Sequence, residues 1–225
     1  MIWKLLPSSS KPTKSQMEWD AALFHSFKKG DAPILRFFSF SHPTLTLGRL
    51  EANRIELNAL PYPYEVRPTG GRAVFHSEAD LCYAVIASTD DPLVGGRLPE
   101  SYRKISTLIA KGLAALGRPV ALSDSPHKGR GPGHCFSAPT QAELLMDGRK
   151  VAGGAQAREG DVLLQQGVIL LNVGEGWRGL LGETDPEKLM IGLNDEGREP
   201  VLAAADVERA VIQAFVSNGV SFDIT

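Results

Sequence analysis

Apolar positions along the chain change their period several times, and each change predicts a new element. Met17, Ala21, Phe24 and Phe27 recur at helical spacing behind Ser15-x-x-Glu18, a capping-box pattern, and predict a helix from about Ser15 to Lys29 that stops at Gly30. The polar, Pro-containing stretch 7–14 ahead of it reads as irregular. Residues 33–49, PILRFFSFSHPTLTLGR, are β-branched and aromatic and break at Pro43, so they read as two strands. YEVRPTGGRAVFH (64–76) and DLCYAVIAS (80–88) read as two more strands around a glycine-bearing turn. Ile105, Leu108, Ile109, Leu113 and Leu116 then form one face of a helix over 98–117, closed by Gly117.

Residues 123–134, SDSPHKGRGPGH, offer nothing apolar to bury and read as a mobile loop. In AELLMDGRKVAGGAQ (142–156), Asp147-Gly148 separates two apolar runs and predicts a tight hairpin, because both central residues of such a turn need positive φ. DVLLQQGVILLNV (161–173) continues as strand. Thr184-x-x-Glu187 predicts a short helix, and Asp206 is read as the cap of a last helix with Val207, Ala210, Val211, Ala214 and Phe215 on its apolar face. Hairpin-grouped strands with fewer, interspersed helices predict an α+β fold: a single domain over 1–225, its core about 16–222, with no accessory C-terminal domain.

Composition narrows the function classes. Hydrophobic residues at 43%, charged residues at 22% and a net charge of −2 exclude the disordered class and give no basic surplus for nucleic acid. No apolar run reaches the ~18 residues of a membrane span, and Met1–Pro7 is too short for a signal-peptide core, so a cytoplasmic, monomeric protein is expected. Cys82 and Cys135 fit no metal-ligand spacing; both are expected as reduced thiols, with no metal site.

Cys135 follows a loop carrying Lys128, Arg130 and His134, which would favour a thiolate. By residue type it is as readily a small packed side chain. Cys82, inside an apolar strand, reads as buried. Lys150 lies just past the predicted hairpin and ahead of Gly153-Gly154, where backbone can approach a ligand; it could hold a carbonyl or phosphate oxygen, or be a solvated hairpin charge. Arg67, Thr69, Gly70, Gly71, Arg72 and His76 gather at one turn, where amides and guanidinium groups could cradle an anion or simply make a turn.

Taken in order, RPTGGRAVFHSEADLCYAV, HCFSAPTQAELLMDGRKVAGGAQAR and LLQQGVIL resemble the family of lipoate-protein ligases, octanoyltransferases and biotin-protein ligases. The PTGGRAV turn, a cysteine before Phe-x-x-Pro, and GRKVAGGAQ are together similar to its bacterial, cysteine-dependent octanoyltransferase branch. The resemblance implies a mixed, largely antiparallel β-sheet packed by helices. It implies that Cys135 takes an octanoyl or lipoyl group from acyl carrier protein as a thioester and passes it to a lysine of a lipoyl domain of a 2-oxoacid dehydrogenase, or of the glycine-cleavage H protein. Lys150 is the second catalytic residue, and no cofactor is expected. By the same resemblance Arg67, Thr69, Gly70, Gly71, Arg72, His76, Gly153, Gly154, Ala155, Gln156, Gln166 and Gly167 line the substrate pocket, and Cys135 and Lys150 stand within a few ångströms of one another. Three positions depart from the family: Gly154 where serine is common, Ala157 where a second arginine is frequent, and Gln166 where the family has histidine. The alternatives are an ATP- and magnesium-dependent lipoate ligase, an octanoyl amidotransferase between lipoyl proteins, and a non-catalytic lipoyl- or acyl-binding protein.

Overall fold

The continuous apolar run Leu81–Ser88 is the sequence signature of a strand covered on both faces, and all eight of its residues are buried. This strand, β6, lies near the middle of an eight-stranded sheet in a computed structural model that describes residues 1–52, 60, 62–124, 141–181 and 185–224. In chain order the elements are β1 (Ile2–Lys11), α1 (Thr13–Ser26), β2 (Ile34–Phe40), β3 (Thr44–Gly48), β4 (Tyr64–Arg67), β5 (Val74–His76), β6, α2 (Leu98–Ala115), β7 (Ala121–Leu122), β8 (Leu144–Met146), β9 (Arg149–Glu159), β10 (Val162–Ile169), α3 (Glu175–Leu181), α4 (Ala204–Val216) and β11 (Ser221–Ile224). The large sheet runs β11-β1-β2-β6-β10-β9-β8-β7. Its first three strands are parallel and every later pairing is antiparallel; β4-β3-β5 form a small second sheet. The mixed, largely antiparallel architecture is the expected one.

Two cores follow from the strand alternation. On one face of the sheet, Leu35, Phe37, Tyr83, Val85 and Leu163 pack with Ile105, Ile109, Val207, Val211 and Phe215 of α2 and α4. On the other, Ile34, Phe38, Cys82, Ala84, Ile86, Leu164 and Val168 pack with Met17 and Phe24 of α1 and with Leu45, Val74 and Phe75 of the small sheet. Each of the large aliphatic and phenylalanine side chains among them contributes about 1.5–3 kcal/mol by leaving water.

Several expectations are corrected. Stretch 7–14 is not irregular: residues 2–11 form β1, held by backbone pairing on both sides, with Pro7 inside the register shift between Leu6 and Ser9, where a missing N–H is tolerated. The first helix begins at Thr13 and ends at Ser26, two residues ahead of the capping box, and makes no side-chain cap. The glycine-bearing turn lies within 64–76, between β4 and β5, whereas 80–88 pairs elsewhere, in the large sheet. Asp206 sits in the first turn of α4 and accepts from the Ala203 N–H at 2.9 Å rather than occupying the cap position. The short helix read at Thr184 is instead a 3-10 turn, Pro186–Lys188, capped by Asp185 through the Glu187 N–H. By contrast the hairpin is as expected: Asp147 and Gly148 have φ of 50° and 74°. The loop read at 123–134 is described only at Ser123 and Asp124, and the rest of it, with Cys135, lies outside the described residues.

Candidate active site

Lys150 follows directly from that hairpin, but it is no solvated charge. Its side chain is fully buried, and its Nζ donates to Glu143 Oε1 at 2.6 Å, the glutamate side chain being 2% exposed. A bulge explains how a strand residue reaches this position. Leu145 pairs with Lys150 but Leu144 pairs with Ala152, so β9 carries one extra residue, Val151. Val151 and Ala152 consequently both enter the α2-side core, and Lys150 is turned to the opposite face, beside Gly153. A Cβ added at Gly153 would lie 2.4 Å from Lys150 Cε and 2.7 Å from its Nζ, so the glycine is what makes room for the lysine. The backbone of Lys150 is fixed from the other side, its N–H donating to Leu189 O at 3.1 Å and its carbonyl accepting from Ile191 N at 3.0 Å.

Beyond Gly153 lies a small pocket, about 440 Å³ of empty space when the open solvent at its mouth is counted with it. Met17, Phe38, Phe40, Val74, Cys82 and Val168 make it apolar. Arg67, His76, Gly153, Gly154, Ala155, Gln166 and Gly167, all expected at the site, border it together with Thr46. The other expected residues do not line it. Thr69 donates to Gln166 Oε1 at 2.8 Å, while Gly70 and Arg72 present carbonyls to the Arg67 guanidinium at 2.7 and 2.8 Å. Gly71 is exposed on the same turn. Gln156 faces the opposite side of the sheet, donating to Ser101 Oγ at 2.9 Å and Gln165 Oε1 at 3.1 Å. The Arg67 guanidinium, which also donates to Thr46 O at 2.8 Å, binds the carbonyls of its own turn.

Beside the charged Arg67, the pocket's His76 and Cys82 are uncharged. His76 Nε2 lies 2.8 Å from Thr46 Oγ1; burial, reinforced by the Arg67 charge, holds its imidazole down to about 3, so it is neutral near pH 7. Cys82 is buried as expected, 3.5 Å from His76 Nδ1, and burial with the negative fields of Asp80 and Asp20 pushes its thiol well up. Such a thiol is a packing group, not a nucleophile. Gln166 donates to Asp20 Oδ2 at 2.6 Å, and Asp20 forms a fully buried ion pair with Arg36, whose guanidinium also donates to Gln16.

Glu143, Asp20, Arg36 and Thr46 escape a sequence reading. Asp20 had a signal, since it falls on the same helical face as Met17 and Phe24, where a carboxylate demands a partner. Among the described residues no group of three or more His, Cys, Asp or Glu could hold a metal, and no helix is long and apolar enough to cross a membrane.

A mixed sheet of this topology with an apolar pocket beside a buried lysine defines a class, the catalytic fold of lipoate and biotin ligases, and the chain belongs to the lipoyl protein ligase A/B catalytic domain family, whose model matches residues 12–216. Within it, the chain is similar to the octanoyltransferase LipM of Carboxydothermus hydrogenoformans, 37% identical over 177 residues, covering 76% of this chain and 65% of that protein. It is 35% identical to LipM of Bacillus subtilis, over 77% of this chain and 66% of that one. The chain thus spans about two thirds of the length of the curated relatives it matches. In fold it is similar to a lipoate-protein ligase A bound with ATP, with a TM-score of 0.83 at 21% identity, covering 100% of this chain and 89% of the other. An archaeal bipartite lipoate protein ligase from Thermoplasma acidophilum, solved with its E2 lipoyl domain, gives 0.78 at 20% identity over 100% and 87%.

Proposed function

We propose that the chain is an octanoyltransferase of lipoate assembly. It takes an octanoyl group from acyl carrier protein and passes it, through a thioester on Cys135, to the lysine of a lipoyl domain or of the glycine-cleavage H protein, in the cytoplasm and without ATP. The observation that carries this reading is the fully buried Lys150 amine, set over Gly153 at the edge of an apolar pocket, in a chain whose curated relatives are octanoyltransferases.

The chemistry needs little more. The Cys135 thiolate attacks the thioester carbonyl, the carbonyl oxygen becomes an oxyanion, and collapse expels the pantetheine thiolate, which takes up a proton. The neutral ε-amine of the target lysine then attacks the acyl-enzyme, Cys135 leaves as thiolate and the amine loses its extra proton, leaving an amide. Splitting one transfer into two easier ones is the benefit of the covalent step. The Lys150 ammonium stabilises each oxyanion, a contribution worth about 10²–10³ in rate for a single well-placed donor. The apolar lining accepts the saturated acyl chain, and the neutral His76 and the Arg67-bound turn place no competing nucleophile or acid beside it.

Intact-protein mass spectrometry after mixing the chain with octanoyl-acyl carrier protein tests this. An added octanoyl mass that disappears on addition of a lipoyl domain, and that Cys135→Ala never acquires, is the expected result. Transfer that survives Cys135→Ala, or that requires lipoate, ATP and magnesium, would refute it.

A further inference from the structure

Nothing in the sequence singles out Glu143, which stands just ahead of β8. Yet its carboxylate and the Lys150 amine together fill the space that Gly153 leaves: a Cβ there would also come within 3.2 Å of Glu143 Oε1. Both partners are withdrawn from water, at 2% and 0% side-chain exposure, and both backbones are tied down. Ser123 N donates to Glu143 O at 2.8 Å, and Lys150 is held by Leu189 and Ile191. A surface ion pair of this kind would hold no fixed geometry. Burial changes that, because a charged group withdrawn from water must be met by a partner, and a carboxylate at hydrogen-bond distance fixes the direction of the amine.

We infer that Glu143 is the positioning residue for Lys150, holding its amine in place against Gly153, which borders the pocket. The inference rests on the acyl-transfer reading, in which that amine meets the oxyanion. Glu143 itself does not touch the acyl group. Its removal therefore acts on the lysine rather than on substrate binding, lowering kcat while leaving KM nearly unchanged.

The test uses the whole chain with Glu143→Gln, which keeps shape and loses charge, and Glu143→Asp, which keeps charge and shortens the arm. A crystal structure of E143Q reads the position of the Lys150 amine directly: Nζ is expected to leave its wild-type place against Gly153, and in E143D to keep it. In octanoyl transfer, E143Q is expected to lose roughly a hundredfold in kcat, and the same substitution is expected to cost nothing further in the Lys150→Met background. An E143Q protein whose Lys150 amine stays in place, or whose kcat is that of wild type, overturns the inference. If E143Q does not fold, E143D decides: a lowered kcat at unchanged KM supports it, and an unchanged kcat overturns it. Should the Lys150 amine move as expected in E143Q while no form of the protein transfers octanoate, the acyl-transfer reading falls and the role of Glu143 in positioning the lysine stands.

Discussion

Two buried ion pairs lie on the α1-side face of the sheet, and their surroundings differ. Arg36 and Asp20 are enclosed by partners: Gln16 and Gln166 bond them, and the Arg36 guanidinium lies 4.4 Å from the Trp19 ring centroid and 4.3 Å from that of Phe38. Burial raises the Asp20 carboxyl and the facing Arg36 pulls it back. That pair joins α1 to β2, and through Gln166 and Thr69 to the glycine turn. Lys150 and Glu143 instead sit over a glycine beside a pocket, on a strand bulged to bring the lysine there. Similar burial thus occurs in two settings: one pair ties a helix to a strand, the other packs against a glycine that borders a cavity. A buried pair alone says nothing about which; the space around it does.

The sharpest way to break this distinction is to remove one member of each pair. Both Lys150→Met and Asp20→Asn leave a charged side chain buried without its partner, and each should lower stability by about 3–5 kcal/mol in urea unfolding. Only Lys150→Met should also cut octanoyl transfer per folded molecule, by about 10²–10³. Asp20→Asn should leave it within a few fold. Equal losses of turnover would erase the difference drawn between the pairs.

A smaller effect is expected from Gly153→Ala. Its methyl group cannot share space with the Lys150 amine, so the amine must shift by about an ångström, and a misplacement of that size costs up to about 10² in rate. The folded structure should survive, and steady-state kinetics should show the loss in kcat.

Asp80 extends the comparison to a buried carboxylate set mainly by burial, which pushes it up to about 7 against hydrogen bonds from Ser77. Between about 4 and 7 the folded chain keeps a proton that the unfolded chain releases, so this group makes stability fall as pH rises. His76 does the reverse: between about 3 and its usual 6.5 the unfolded chain takes up a proton that the buried ring refuses, so stability rises with pH. The two largely cancel between about pH 4 and 6.5. Asp80→Asn removes one of them, and its stability relative to wild type should climb by about 1.4 kcal/mol per pH unit across that window. A difference that does not vary with pH would contradict the assignment. The smallest change is expected from Gln166→His: a histidine can still accept from Thr69 and donate to Asp20, so stability should move by less than about 1.5 kcal/mol and transfer by only a few fold.

How far the sequence carried these conclusions depends on the kind of interaction. The Asp147-Gly148 turn, the α2 stripe and the buried Cys82 strand were legible because each rests on neighbours in sequence. So was the order of the family motifs. β1 and β11 were not, since Ile2–Lys11 carries no clean alternation and is held by backbone pairing with strands near both ends of the chain. At the site, a plain hairpin alternation puts Lys150 on the same face as Ala152, and only the extra residue at Val151 reverses it. Gly153 was read as a place for close ligand approach; it does border the pocket, and the lysine packs against it as well. Gly154, where the family has serine, is crowded by strand β10: a Cβ would lie 2.7 Å from Gln166 O. Glu143 escaped notice because its partner depends on the same bulge. The expected closeness of Cys135 and Lys150 lies outside the described residues.

The most direct test of the central claim is a single-turnover experiment with Lys150→Met. The folded variant is mixed with octanoyl-acyl carrier protein, a lipoyl domain is then added, and every species is weighed by mass spectrometry. If the buried Lys150 charge drives acyl transfer, wild type gains and then passes on the octanoyl group, while Lys150→Met stays almost wholly unacylated over the same interval. A folded Lys150→Met that acquires and delivers octanoate at the wild-type rate would contradict the account.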